Sequence, residues 1–176
     1  MIKHLKEEQL KFVSEGAFGR YYRIKNSNEG VKILYHYDYE SILQAKESEA
    51  FKSAKDELKR LKQLRKKTAL VPNAVSMAIV EMEHPWFQGQ GRTIYQVGFI
   101  MSHVKGKPVG LSRMTSEDFR RFKAAERTLK RRGIYRNDCH DYNVIKTARG
   151  SRFNYIFIDP DALRFKKEVG YESYTR

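Results

Sequence analysis

Apolar and polar positions alternate in three short runs between residues 10 and 37. Leu10 and Phe12 open the first, and Ser14-Glu15-Gly16-Ala17-Phe18-Gly19 makes a turn. Tyr21-Tyr22-Arg23-Ile24 follows, then Asn26-Ser27-Asn28-Glu29-Gly30 as a second turn before Val31-Lys32-Ile33-Leu34-Tyr35. β-Branched and aromatic residues at a period of two fit a pleated surface, so this stretch predicts three strands. The period then lengthens. Leu43, Glu47, Phe51, Ala54, Leu58 and Leu61 recur every three or four positions, which predicts one helix over roughly residues 40–66. Val75–Glu83 and Ile94–Ser102 predict two further strands, separated by a loop with Pro85, Gly89 and Gly91.

A second helix is expected over roughly residues 116–132. Thr115 and Asp118 have the capping-box spacing, with Asp standing in for Glu or Gln. Phe119, Phe122, Ala125 and Leu129 make the expected buried face, and Gly133 supplies the stop. Two apolar runs, Tyr142–Ile145 and Tyr155–Ile158, then read as a hairpin around a polar turn at Ala148–Arg152. The fold class that results is α+β. A five-stranded sheet with one helix occupies residues 1–104, and a smaller body occupies 105–176. Lys105-Gly106-Lys107-Pro108 is the natural joint.

Composition changes this picture in two respects. With 176 residues, 40% hydrophobic, the chain has enough apolar material for one domain or two small lobes. The formal net charge is +14, which attracts polyanions such as nucleic acid, an anionic membrane surface or an acidic protein. The single cysteine, Cys139, excludes an intramolecular disulfide and any multi-cysteine zinc site. No apolar stretch approaches the ~20 residues of a spanning helix, and the first residues have no apolar signal-peptide core. A cytoplasmic site of action is the default expectation.

Several residues invite a chemical reading. Gly16 and Gly19 flank Ala17-Phe18 between two strands, where glycines let backbone N–H groups approach a phosphate, or simply allow a hairpin turn. Lys32 interrupts an apolar strand, so it either snorkels at an edge or is a buried cation needing an anion. Glu47 shares the expected helix stripe with Leu43, Phe51 and Ala54, and it is the obvious partner unless it lies at the stripe's rim. The densest polar cluster is Arg136-Asn137-Asp138-Cys139-His140-Asp141-Tyr142-Asn143, followed by Asp159 at the end of Tyr155-Ile156-Phe157-Ile158. Carboxylates and an amide oxygen at hairpin ends suit magnesium. A pair of hydrolytic carboxylates and a plain acidic loop are the other readings.

Taken in order, these pieces resemble the protein-kinase-like superfamily. Ser14–Gly19 is similar to its glycine-rich loop, with Ser14 in place of the first glycine. Val31-Lys32-Ile33-Leu34 resembles the strand of the phosphate-binding lysine, and Glu47 the helix glutamate that holds it. Phe99–Pro108 resembles the gatekeeper and hinge, Asp138-x-His140-x-x-Asn143 the catalytic loop, and Ile158-Asp159 the metal-binding aspartate. The resemblance implies a two-lobed fold with ATP and Mg²⁺ held between the lobes. The Gly16, Ala17, Phe18 and Gly19 backbone would cover the phosphates, and Lys32 would grip them. Asn143 and Asp159 would hold the metal, and Asp138 would orient the attacking hydroxyl. Adenine would meet backbone groups near Ser102 and Val104, with Met101 as gatekeeper.

There are departures as well. Arg136 replaces the histidine or tyrosine usual two residues before the catalytic aspartate, and Asp159-Pro160-Asp161 replaces Asp-Phe-Gly. Arg176 comes 17 residues after Asp159, which implies a much reduced C-lobe. That brevity resembles OspG-type effector kinases, through Glu47-Ser48-Glu49, and the YrbL-like family, through Val31–His36. Small-molecule kinases often place a histidine where His140 stands. Two alternatives to a kinase follow. One is a pseudokinase that binds nucleotide, or an acidic protein partner completing the missing half, without efficient turnover. The other is a nucleic-acid-binding protein using the basic helix faces around Lys59–Lys67 and Arg120–Arg132. An effector role would place the protein inside a host cell.

Overall fold

The computed structural model describes residues 1–16, 19–34, 38–83, 91–110, 114–137, 144–147, 155–159 and 163–168. The chain divides into two compact units. One comprises Met1–Lys62 and Asn73–His103, and the other Gln63–Pro72 and Val104–Arg176.

The first unit is built on a six-stranded sheet: β1 (Ile2–Lys6), β2 (Leu10–Gly16), β3 (Gly19–Ile24), β4 (Glu29–Leu34), β5 (Ala74–Glu83) and β6 (Thr93–Ser102). Their spatial order is β1-β5-β6-β4-β3-β2. The five strands the sequence predicts are adjacent and antiparallel. The sixth, β1, adds to the far edge parallel to β5, with Ile2 opposite Met77. Only Leu5 of β1 is buried, so its pairing comes from backbone hydrogen bonds that leave little trace in a side-chain pattern. The β3–β4 connection turns at Asn26, whose φ of 57° is a left-handed conformation that asparagine tolerates. Gly30, expected in that turn, lies inside β4 instead. One face of the sheet packs Tyr22, Val31, Ile33, Ala78, Val80, Met82, Ile94 and Ile100 into a continuous core. Lys32 stands on the other face, because its neighbours Val31 and Ile33 take this one.

The predicted single helix is two. α1 (Ile42–Glu47) starts at Ser41, whose hydroxyl accepts from Gln44 N–H at 3.2 Å. It ends at Ser48, which is extended (φ −74°, ψ 158°). Ser48 then caps α2 (Glu49–Lys67), its hydroxyl accepting from Phe51 N–H at 3.1 Å. One extended residue breaks the helical phase, so the expected stripe does not run through it. Leu43 is 64% exposed and Glu47 is exposed, whereas α2 buries Ala50, Ala54, Leu58, Leu61 and Leu64.

In the second unit, α3 (Ser116–Arg131) begins as the capping signal predicts, with Thr115 Oγ1 accepting from Asp118 N–H at 3.1 Å. It stops at Gly133, whose φ of +69° favours glycine. Its buried face is Phe122, Glu126 and Leu129; Phe119, expected inside, is half exposed. β7 (Gly106–Pro108), β9 (Val144–Thr147) and β10 (Tyr155–Phe157) form a small antiparallel sheet in the order β10-β9-β7. The stretch expected as a joint thus contains a paired strand. A Cβ on Gly106 would come within 2.2 Å of Lys146 O, so only glycine allows β7 this close to β9. β8 (Ile134–Arg136) pairs with β11 (Leu163–Phe165). Phe122 meets Tyr155 edge-on and Phe157 at a tilt, which ties α3 to β10. No helix among the described residues is long and apolar enough to cross a membrane.

Candidate functional site

Lys32 has an anionic partner, and it is not the expected one. Its Nζ lies 2.8 Å from Glu57 Oε2, with side-chain exposures of 15% and 12%. The ammonium also sits 5.9 Å from the centre of the Phe99 ring. Glu47, assigned to this role on the sequence, is solvent-exposed at the end of α1, because the break at Ser48 resets the helical phase. Glu57 falls three residues after Ala54 and four before Leu61, on the buried stripe of α2. That spacing is the signal that could have found it.

The glycine pair divides into two cases. Gly16 and Gly19 face each other at the end of the β2–β3 hairpin, while Ala17 and Phe18 lie outside the described residues. A Cβ on Gly19 would fall 2.2 Å from Ile33 O, so the sheet itself requires this glycine. A Cβ on Gly16 would meet nothing within 4 Å. Gly19→Ala should therefore lower the melting temperature, whereas Gly16→Ala should leave it within about 2 °C of the parent. Thermal unfolding separates the two.

At the other end of the sheet Met101 is buried and pairs with Gly30 across β4 and β6. Ser102 is tied to Asn73 twice: its N–H donates to Asn73 O, and its hydroxyl accepts from Asn73 N–H, both at 2.8 Å. His103 N–H donates to Asn28 O at 2.8 Å. Its ring stacks on Tyr21 (centroids 5.9 Å apart, planes 13° apart), and Tyr21 Oη lies 3.1 Å from His103 Nδ1. Burial pushes the Tyr21 phenol above its ordinary range, with the nearby Arg23 charge opposing.

One sheet thus carries Gly16, Gly19, Lys32, Met101 and Ser102. Val104 and Asp159 belong to the second unit, both half-buried, with Asp159 two residues past β10. Asp138 and Asn143 lie outside the described residues. Among the described residues no cluster of three or more histidine, cysteine or carboxylate groups could hold a metal.

The second unit shows what Arg136 does. Its Nη1 lies 3.0 Å from Glu126 Oε1, and its guanidinium stands 5.7 Å from the centre of the Phe122 ring. Glu126, buried on α3, also pairs with Lys123 at 2.8 Å, so two cations offset its desolvation. Arg136 thus fastens β8 to α3. A second network braces the start of that helix. Tyr155 Oη donates to Asp118 O at 3.1 Å and to Asp118 Oδ1 at 3.2 Å. Lys146 Nζ lies 2.7 Å from the same carboxylate. The Lys146 hydrogen bond holds the Asp118 carboxyl below its usual range. Burial, then the Asp118 charge, push Tyr155 up to about 12.

Comparison with known proteins finds the fold but no family. No family model matches the chain, and no curated protein matches it either. Among solved structures it is similar to crystal structures of WbdD. One aligns at a TM-score of 0.54 with 17% identity, covering 88% of this chain and 33% of that one. Another, of WbdD with a kinase inhibitor, aligns at 0.50 with 14% identity, covering 89% and 33%. The chain therefore spans about a third of the length of WbdD, and at these identities the likeness is one of fold.

Proposed function

We propose that the protein is an ATP- and Mg²⁺-dependent phosphotransferase, a kinase acting on a protein or small-molecule hydroxyl. The observation that carries this reading is the Lys32–Glu57 pair, which holds an ammonium at a fixed point on the sheet. Lys32 lies directly opposite Tyr21, two residues along β3 from Gly19. A lysine clamped by a carboxylate keeps its charge and its position, the two properties needed to grip the phosphates. The open space above Gly16 supports the same reading, since a bare backbone there can approach phosphate oxygens.

In this account the Gly16–Gly19 backbone covers the phosphates, and backbone groups near Ser102 and Val104 meet the base beside Met101. Asp138 orients the acceptor hydroxyl. Asp159 and Asn143 supply the oxygen ligands that Mg²⁺ prefers. When bound, the metal neutralises charge building on the phosphates. The test is transfer of labelled γ-phosphate in Mg²⁺, with Asp138→Ala as the inactive control. Absence of transfer, or an Asp138→Ala variant as active as the parent, removes the catalytic reading.

A second reading is nucleotide binding without efficient turnover. It is favoured by Arg136, which is committed to Glu126 and Phe122 at the position where the family usually has histidine or tyrosine before the catalytic aspartate.

A further inference from the structure

Residues paired across adjacent strands share a face of the sheet. Tyr21 is paired with Lys32 and Lys32 with Phe99, while Gly30, two positions from Lys32, is paired with Met101. Tyr21, Gly30, Lys32 and Met101 therefore share one face. It is the face on which a nucleotide would have to lie to reach from Lys32 to the backbone after Met101.

That face is crossed by the Tyr21 ring. The side chain starts on β3, passes over β4 at Gly30 and ends against His103. Two contacts fix the far end, the 3.1 Å hydrogen bond to His103 Nδ1 and the near-parallel stacking of the rings. A third observation places that same end over β4. A Cβ at Gly30 would lie 2.1 Å from Tyr21 Oη and 2.4 Å from Cζ. The phenol occupies the volume that any larger residue at position 30 would fill. A planar base reaching Ser102 from this face would need the same volume.

We propose that Tyr21 closes the base-binding part of the nucleotide site, and that ATP binds only when the Tyr21 ring leaves Gly30 and His103. The closure rests on the nucleotide-site reading above and adds a specific cost to it. Every binding event must first break the tyrosine–histidine contact, so the observed affinity is reduced by the fraction of molecules already open. A ligand made of phosphates alone does not need the base volume and does not meet that cost.

The experiment is calorimetric titration of the full chain with MgATP and, separately, with magnesium tripolyphosphate. Three proteins are compared: wild type, Tyr21→Ala and Tyr21→Phe. Tyr21→Ala removes the ring and should bind MgATP about fivefold more tightly than wild type, with tripolyphosphate affinity unchanged. Tyr21→Phe keeps the ring and loses only the hydrogen bond, so it should gain less. A loss of MgATP affinity in Tyr21→Ala would make the ring a stacking partner for the base and overturn the closure. Equal MgATP affinity in all three proteins would overturn it too, with the nucleotide site left standing. Binding of neither probe by any of the three would remove the nucleotide site itself, and the closure with it.

Discussion

Replacing Glu57 with alanine should destabilise the first unit by about 3 kcal/mol, whereas replacing Glu47 should change stability by less than about 0.5 kcal/mol. The asymmetry follows from the surroundings of the two carboxylates. Glu57 and Lys32 are each less than a fifth exposed, so removing one takes a charge-assisted contact away from a largely desolvated charge. Glu47 is solvated in the last turn of α1, where a negative charge already opposes the helix dipole, so its loss is neutral or slightly favourable. Urea denaturation of the two single variants checks the contrast. A Lys32→Ala/Glu57→Ala double variant should cost clearly less than the sum of its parts, because the two side chains interact directly. If Glu47→Ala proves the more damaging variant, the pairing drawn here is wrong.

The second large effect is on turnover. Asp138→Ala should lower phosphate transfer by about 10²–10⁴-fold, the usual contribution of a positioned general base. Glu57→Gln should lower it less, since an amide still accepts a hydrogen bond from Lys32 while supplying no charge to fix it. Initial rates of labelled phosphate transfer, measured on folded protein, would rank the variants. Glu47→Gln belongs in the same series and should match the parent. An Asp138→Ala variant that binds MgATP normally and transfers nothing is the pattern of a kinase. A parent that binds MgATP and transfers nothing is the pattern of a nucleotide-binding module.

The extent to which the sequence foretold this differs from element to element. The strands that became β2 to β6 were legible because apolar alternation and turn residues agree there. The start of α3 was legible because Thr115 and Asp118 carry a capping signal that the structure realises as a hydrogen bond. The break between α1 and α2 was not. Ser48 leaves the helix for a single residue, and no glycine or proline announces it, so a periodic reading runs straight across and carries Glu47 onto the buried stripe. Glu57, three residues after Ala54 and four before Leu61, belongs to the buried stripe of α2 wherever the helix is taken to begin. Phe119 shows a related limit: it fits the period of α3 but sits half exposed near the helix start, while Glu126 takes an inside position with two cations to satisfy it. Tyr21 and His103 were illegible for another reason. They are 82 residues apart in sequence, and only the strand order brings them together.

Equilibrium binding of MgATP by the parent chain and by Lys32→Ala tests the central claim most directly. The calorimetry should be run at a temperature where circular dichroism shows both proteins folded. The account predicts one site in the parent and loss of at least about tenfold in affinity when the ammonium is removed, in line with loss of a charge-assisted contact to phosphate. No binding by the folded parent, or undiminished binding by Lys32→Ala, would contradict it.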